Sequence, residues 1–191
     1  MDYIITALVS YLFGSIPFGY IFTKIFLKKD IRDVGSGNIG ATNVLRTGNK
    51  RLGYLTLILD ILKAVIPVIY VKLYYPDLIF ISALCAFLGH LFPVWLKFDG
   101  GKGVATFVGI LISINIYYAL IFGIIWVLTF IISKYSSLSS LIASISIPIY
   151  ILILGYGNFI FFTIMFVLIF YTHRENIKRL INKEETKSKI Y

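Results

Sequence analysis

Three short stretches of this chain hold the residue types that handle anions. In DVGSGNIGATNVLR, Asp33 to Arg46, Ser36 offers a hydroxyl, Asn38 and Asn43 offer amides, and Arg46 offers a planar guanidinium fork suited to phosphate oxygens. Gly35, Gly37 and Gly40 permit positive φ and close backbone approach, so successive N–H groups could converge on one anion. In GHLFPVWLKFDGGKGVAT, Gly89 to Thr106, the run Gly100, Gly101, Lys102, Gly103 sets a lysine just ahead of a helix expected to open at Val104, an anion site by geometry. In HRENIKRL, His173 to Leu180, His173 and Asn176 stand at i and i+3 on one helix face. Ser137 and Ser140 in YSSLSS repeat that spacing with hydroxyls.

Each stretch taken singly also has a plainer reading. The first is equally a tight loop that lets helices pack, the second a glycine-rich turn with a snorkelling lysine, the third a basic helix end drawn to anionic lipid. Serines at a span end are usually helix caps. Gly100–Gly103 is not a Walker A loop, because Gly103 follows Lys102 where Ser or Thr is required and no glycine stands five residues before Gly101. Nucleotide hydrolysis is thereby disfavoured. A serine nucleophile needs an adjacent base held by a third group, and no such triad is legible. A His-x4-Asp pair is missing too, since Trp95 follows His90 at that distance and Lys178 follows His173. Asp60 and Lys63, at i and i+3 in an apolar segment, read as a paired anchor, because a charge at the membrane centre costs ~2.5–3.5 kcal/mol. His90 reads as a structural histidine holding helices together.

The elements that must position these groups are apolar throughout. Of 191 residues, 59% are hydrophobic and only 14% charged, against roughly 25% charged in soluble domains. The expected fold is all-α: a polytopic membrane helical bundle forming a single integral-membrane domain over residues 1–191. Seven transmembrane helices are laid out near 3–26, 53–74, 78–96, 104–118, 119–135, 139–154 and 157–172. The breaks near Asn115 and at Gly155–Asn158 are weak, which keeps five or six spans open. The first segment has no basic region before it and no cleavage site after it, so it is read as a retained span. The single cysteine, Cys85, excludes an internal disulfide and a cysteine-built metal site.

A net charge of +9 would suggest nucleic acid in a soluble protein; here its distribution matters more, and no nucleic-acid partner is expected. Counting breaks alternately, one side receives Lys24, Lys28, Lys29, Arg32, Arg46, Lys50, Arg51, Lys97, Lys102, Lys134 and the tail from Arg174 to Lys189. The other receives Asp2, Asp77 and Lys72, the last able to snorkel outward. The positive-inside rule then puts the N-terminus outside and the C-terminus in the cytoplasm. The polar stretches 27–52, 97–103, 134–140 and 173–191 all face the cytoplasm, and together they describe one pocket for anionic ligands at the headgroup level, among membrane lipids. The tail NKEETKSKIY is expected to be a frayed helix end or disordered, with no function of its own.

GSGNIGATNVLR, GHLFPVWLKFDGGKGVAT and HRENIKR resemble the three signature motifs of the bacterial acyl-phosphate:glycerol-3-phosphate acyltransferases. The likeness extends to GSIPFGY, Gly14 to Tyr20, and to LDILKAVIP around Asp60, and so covers nearly the whole chain. Ile39 stands where the family often has proline. The resemblance implies transfer of a fatty acyl group from acyl phosphate to the 1-hydroxyl of glycerol 3-phosphate, giving lysophosphatidate and phosphate, the first acylation of phospholipid synthesis. It implies a cell inner membrane enzyme with a cytoplasmic active site, no metal, no cofactor, and a functional link to the enzyme that forms acyl phosphate. Phosphate-contacting roles carry over by motif to Ser36, Arg46, Lys102, His173 and Asn176, and less closely to Ser137 and Ser140. The proton of the attacking hydroxyl would pass to His173 or to a substrate phosphate. The phosphate is favoured, because an imidazole beside bound phosphate is held protonated and is a poor base. The rival class is an organic-phosphate or anion transporter, whose sites lie near the midplane, whereas here the polar groups gather at one face.

Overall fold

Pro17 interrupts the first apolar stretch. Having no N–H to continue the ladder, it separates α1 (Tyr3–Gly14) from α2 (Phe18–Phe26). The computed structural model describes residues 3–155 and 157–188, and the expectations resting on Asp2 and on residues 189–191 lie outside them. Among the described residues there is no strand. The chain divides into two compact units, Met1–Ile114 and Asn115–Tyr191.

In the first unit α3 (Ala41–Leu45) follows the polar loop, and α4 (Lys50–Tyr74), α5 (Ile79–Leu91) and α6 (Val104–Ile114) complete the set. Asn49 starts α4 as its N-cap, its side-chain oxygen accepting from Leu52 N at 3.1 Å. Helix α1 lies against α5 through small residues. Ser10 and Ser82 share a hydrogen bond of 2.8 Å, and a methyl group added at Gly14 would overlap the carbonyl of Ala86. Such close backbone approach is how helices associate in lipid, where the hydrophobic effect gives no drive between them.

The expected span 104–118 ends at Ile114. At 11 residues α6 extends only ~16 Å, about half of a ~30 Å hydrocarbon core. Lys72 is exposed near the end of α4. Its ammonium donates to Ser113 O at 2.7 Å and Ile114 O at 3.1 Å, satisfying carbonyls orphaned where α6 stops and meeting the negative end of its dipole.

The second unit holds α7 (Ile116–Ser133), α8 (Ser136–Leu154), α9 (Phe159–Thr172) and α10 (Arg174–Ile181). The break at Asn115 is real, with Asn115 Oδ1 capping α7 by accepting from Tyr117 N at 3.0 Å. Gly155 and Asn158, both at positive φ, flank the connection from α8 to α9. Tyr118 packs edge-on against Tyr150 and Phe162 and ties α7 to α8 and α9. Helices α9 and α10 meet at a bend of 61°. Among the described residues, counted by length and composition, five helical segments can cross a membrane, α1 and α2 counting together as Tyr3–Phe26, and six if that bent pair is one span.

Candidate active site

The first polar loop is organised by Asn43, which is 2% exposed. Its Oδ1 accepts from Ser36 N at 3.0 Å. Its Nδ2 donates toward the carbonyls of Val34 and Asn38, both at 2.8 Å, and of Ile31 at 3.1 Å. Beneath these bonds Ile31, Ile39, Val44 and Leu52 form a small core joined by Leu96 from the second polar stretch, so the two loops share one foundation. Ile39 is buried within it.

Gly35 and Gly37 take the left-handed conformation expected, at φ 56° and 71°, while Gly40 is extended and caps α3. The amides of Ser36, Gly37 and Gly40 are committed inside the loop, to Asn43 Oδ1, Val34 O and Asn38 Oδ1. These three N–H groups therefore close the loop on itself. Two groups are left facing outward. Ser36 is exposed, and the half-buried Arg46 crosses Gly35 so closely that a methyl group there would lie 3.1 Å from Arg46 Cδ. Neither the Ser36 hydroxyl nor the Arg46 guanidinium is hydrogen-bonded among the described residues. At the loop's start Asp30 accepts from Arg32 Nε and Nη2, at 3.0 and 2.7 Å, and that guanidinium holds the Asp30 carboxyl down to about 2.

The second stretch leaves α5 and returns through a sealed neck, with Gly101 N donating to His90 O at 3.0 Å and Gly100 N to Leu91 O at 3.1 Å. Helix α1 and the residue after it pin the excursion twice, Tyr11 Oη donating to Phe92 O at 2.6 Å and Trp95 Nε1 donating to Ser15 Oγ at 2.8 Å. Gly103, at φ 85°, turns the chain into α6 at Val104, and the half-buried Lys102 precedes that turn.

Under this loop lies a buried polar cluster. Lys63 Nζ is 2.7 Å from Asp60 Oδ1 and donates to Ile16 O at 2.8 Å, in the break between α1 and α2. The pair is a charge contact, with no donor aligned on Oδ1. His90 Nδ1 faces the same carboxylate oxygen at 4.0 Å. Removing one member of such a pair leaves a lone buried charge, at a cost of ~3–5 kcal/mol.

In the second unit His173 ends α9 and is 2% exposed. Its Nδ1 lies 2.8 Å from Ile169 O. A carbonyl only accepts, so Nδ1 carries the proton, and Nε2 is an acceptor when the ring is neutral and a donor when it is charged. Asn176 and Ser137 converge on Glu185: Nδ2 of Asn176 donates to Oε1 at 2.7 Å and Oγ of Ser137 donates to it at 2.8 Å. Arg179 Nε donates to Oε2 at 2.7 Å. Burial alone would raise the Glu185 carboxyl, but the bonds from Arg179, Asn176 and Ser137 outweigh it and hold the pKa below the ordinary 4.5. Ser140 turns elsewhere, donating to Ser136 O at 2.8 Å and accepting from Trp126 Nε1 at 3.1 Å.

Glu185 escaped the reading of the sequence, and the expectation for its segment is corrected here. The tail up to Ser188 is neither frayed nor disordered. Lys183 at φ 60° reverses the chain, the amides of Glu184 and Glu185 return to Arg179 O, and Ser188 N donates to Lys134 O at 2.9 Å. One mixed-charge run looks like another in sequence, and only this reversal singles out Glu185.

Long apolar helices joined by polar loops define a multi-pass membrane protein. The family model described as Glycerol-3-phosphate acyltransferase matches residues 4–183. The chain is 72% identical to the glycerol-3-phosphate acyltransferase of Pelagibacter ubique (strain HTCC1062), with all of both chains covered. It is 50% identical to that of Brucella anthropi, over 96% of this chain and 92% of the relative. Among solved structures it resembles PlsY (YgiH), an integral membrane glycerol 3-phosphate acyltransferase, in its glycerol 3-phosphate form, with a TM-score of 0.91 and 37% identity over 97% of this chain and 94% of the other. The lysophosphatidic acid form of PlsY matches with a TM-score of 0.88 and 36% identity over the same shares. The chain belongs to the glycerol-3-phosphate acyltransferase family.

Proposed function

We propose that this protein transfers a fatty acyl group from acyl phosphate to the 1-hydroxyl of glycerol 3-phosphate, releasing inorganic phosphate. Its relatives carry the acyltransferase name over 96% to 100% of the chain, and the solved relatives include a glycerol 3-phosphate form and a lysophosphatidic acid form. The observation that carries the reading is the pairing of Ser36 and Arg46: a hydroxyl and a guanidinium held outward by a folded loop, with no partner among the described residues. Such a fork suits phosphate.

Acyl phosphate is already activated, so the protein need mainly position two anions and stabilise developing charge. The hydroxyl oxygen attacks the acyl carbon, the carbon–oxygen bond to phosphate breaks, and the hydroxyl proton leaves with a phosphate oxygen. Ser36, Arg46, Lys102, His173 and Asn176 are assigned to phosphate, with Ser137 beside Asn176, while Ser140, bonded to Ser136 O and Trp126 Nε1, is given no contact with it. Gly35, Gly37, Asn38, Gly40, Asn43, Gly100, Gly101 and Gly103 shape the loops that present them. His173 is assigned as a ligand, its Nε2 donating when the ring is charged.

The donor is tested with purified protein, labelled glycerol 3-phosphate and either acyl phosphate or acyl-CoA. Product with acyl phosphate alone is expected, equal product from acyl-CoA overturns the donor assignment, and none from either overturns the reading. An inner-membrane location with a cytoplasmic site is part of the proposal, motivated by the one-sided lysines and arginines. Lys50→Cys, Lys102→Cys and Lys178→Cys, each in a Cys85→Ser background, should react only with reagent that reaches the cytoplasm; labelling of any from outside intact cells refutes it.

A further inference from the structure

We propose that His90 is a positioning residue for the loop that carries Lys102, and that the Asp60–Lys63 pair holds His90 in place. The inference rests on the reading above, in which Lys102 meets phosphate. Asp60, Lys63 and His90 are buried, 2%, 3% and 4% exposed, and the transfer chemistry uses none of them. Charged groups set this deep in an apolar unit call for a reason beyond helix packing.

The contacts run in one direction. Lys63 is tied to Ile16 O and to Asp60. The carboxylate of Asp60 faces one edge of the His90 ring, at Nδ1. The opposite edge presses on Gly101: a methyl group added there would lie 2.6 Å from Cε1 and would overlap Nε2. The backbone of His90 grips the same residue, its carbonyl accepting from Gly101 N at 3.0 Å. Gly101 is therefore clasped by the ring and the main chain of one histidine, and Lys102 is the next residue. Only glycine fits that clasp, because the ring occupies the space any Cβ would need. A ring that drifted would release the loop one bond away from the lysine.

Steady-state kinetics on detergent-purified variants, with glycerol 3-phosphate varied, test this. His90→Ala is expected to raise KM on the order of tenfold to a hundredfold, the scale of a misplaced contact, with kcat changed far less because no reacting atom is lost. Gly101→Ala is expected to do the same by displacing the ring. In the double variant the added methyl enters space the imidazole vacates, so the combined rise in KM should fall well short of the product of the single effects. Asp60→Asn should raise KM less than His90→Ala does. An unchanged KM in folded His90→Ala, or single effects that multiply in the double variant, overturns the proposal. If His90→Ala cannot be recovered folded, Gly101→Ala is compared with Gly101→Ala/His90→Asn by the same criterion. Lys102→Ala separates the two levels: an unchanged KM there overturns the phosphate reading and this proposal with it, whereas a raised KM there with none in His90→Ala overturns this proposal alone.

Discussion

Asn43 in the first unit and Glu185 in the second each gather several polar groups around one side chain, but one is neutral and the other charged. Asn43 faces three carbonyls and an amide N–H, so it must donate and accept at once, which a carboxamide does and a carboxylate cannot. Glu185 faces only donors, from Ser137, Asn176 and Arg179, and an anion serves them all. The nature of each organising residue follows from what it gathers. The amide-built loop is thereby indifferent to pH, while the carboxylate-built cluster depends on it.

The sharpest way to break this comparison is to exchange the chemistries. Asn43→Asp is expected to have the largest effect: it removes both donors and sets a charge against three carbonyls, each stranded group costing ~1–3 kcal/mol. Activity should be lost even where the helices remain folded by circular dichroism. Retained activity would show that Asn43 does not organise the loop. Next comes Arg46→Ala, which on the proposed assignment takes a charge-assisted partner from phosphate worth ~1.5–3 kcal/mol. A fall of one to two orders of magnitude in kcat/KM for glycerol 3-phosphate is expected, on the order of tenfold per 1.4 kcal/mol, and Arg46→Lys should restore only part of it because the planar fork is missing.

Glu185→Gln is expected to be milder. Its amide oxygen can still accept from Ser137 and Asn176, and only the Arg179 bond is lost, ~1 kcal/mol at the edge of the protein. A thermal midpoint lowered by a few degrees, reversed by no change at Asn43, would fit; a collapse as deep as that of Asn43→Asp would erase the distinction between the two residues.

The smallest effect is spectroscopic. The pKa of Glu185 is depressed in the fold, so its contribution is present above the ordinary value of 4.5 and is lost as pH falls through the lower folded value. The two tryptophans report on separate units, Trp95 bonded to Ser15 and Trp126 to Ser140. In Trp95→Phe the remaining Trp126 emission should shift below pH 4.5 and should stay put once Glu185 is replaced by glutamine. In Trp126→Phe the Trp95 emission should be steady over the same range, since the Asp30–Arg32 pair in that unit persists to about 2. A shift in Trp95 at the pH where Trp126 moves would end the contrast.

Composition and apolar run length determined the helical membrane class, because a chain with so few charges can satisfy its backbone in lipid only through helices or a closed barrel and the long apolar runs suit helices. Residue type and local spacing also drew attention to Ser36, Arg46, Lys102, His173 and Asn176, since a guanidinium, a lysine at a helix start or an i, i+3 pair can be read within one turn. Which of the loop's polar groups face outward could not be read that way. Asn38 and Asn43 have the same side chain five residues apart, yet Asn43 is buried at the centre of the loop, a difference made by the core of Ile31, Ile39, Val44 and Leu52 closing around it. His90 looked like an ordinary helix histidine because Gly101, which it clasps, lies beyond an excursion of ten residues. Glu185 looked like one more tail charge because the reversal at Lys183 turns it back on α10. A side chain's type limits what it can bind, but its partner is chosen by where the folded backbone brings a distant segment, and that is set by the packing of the whole unit.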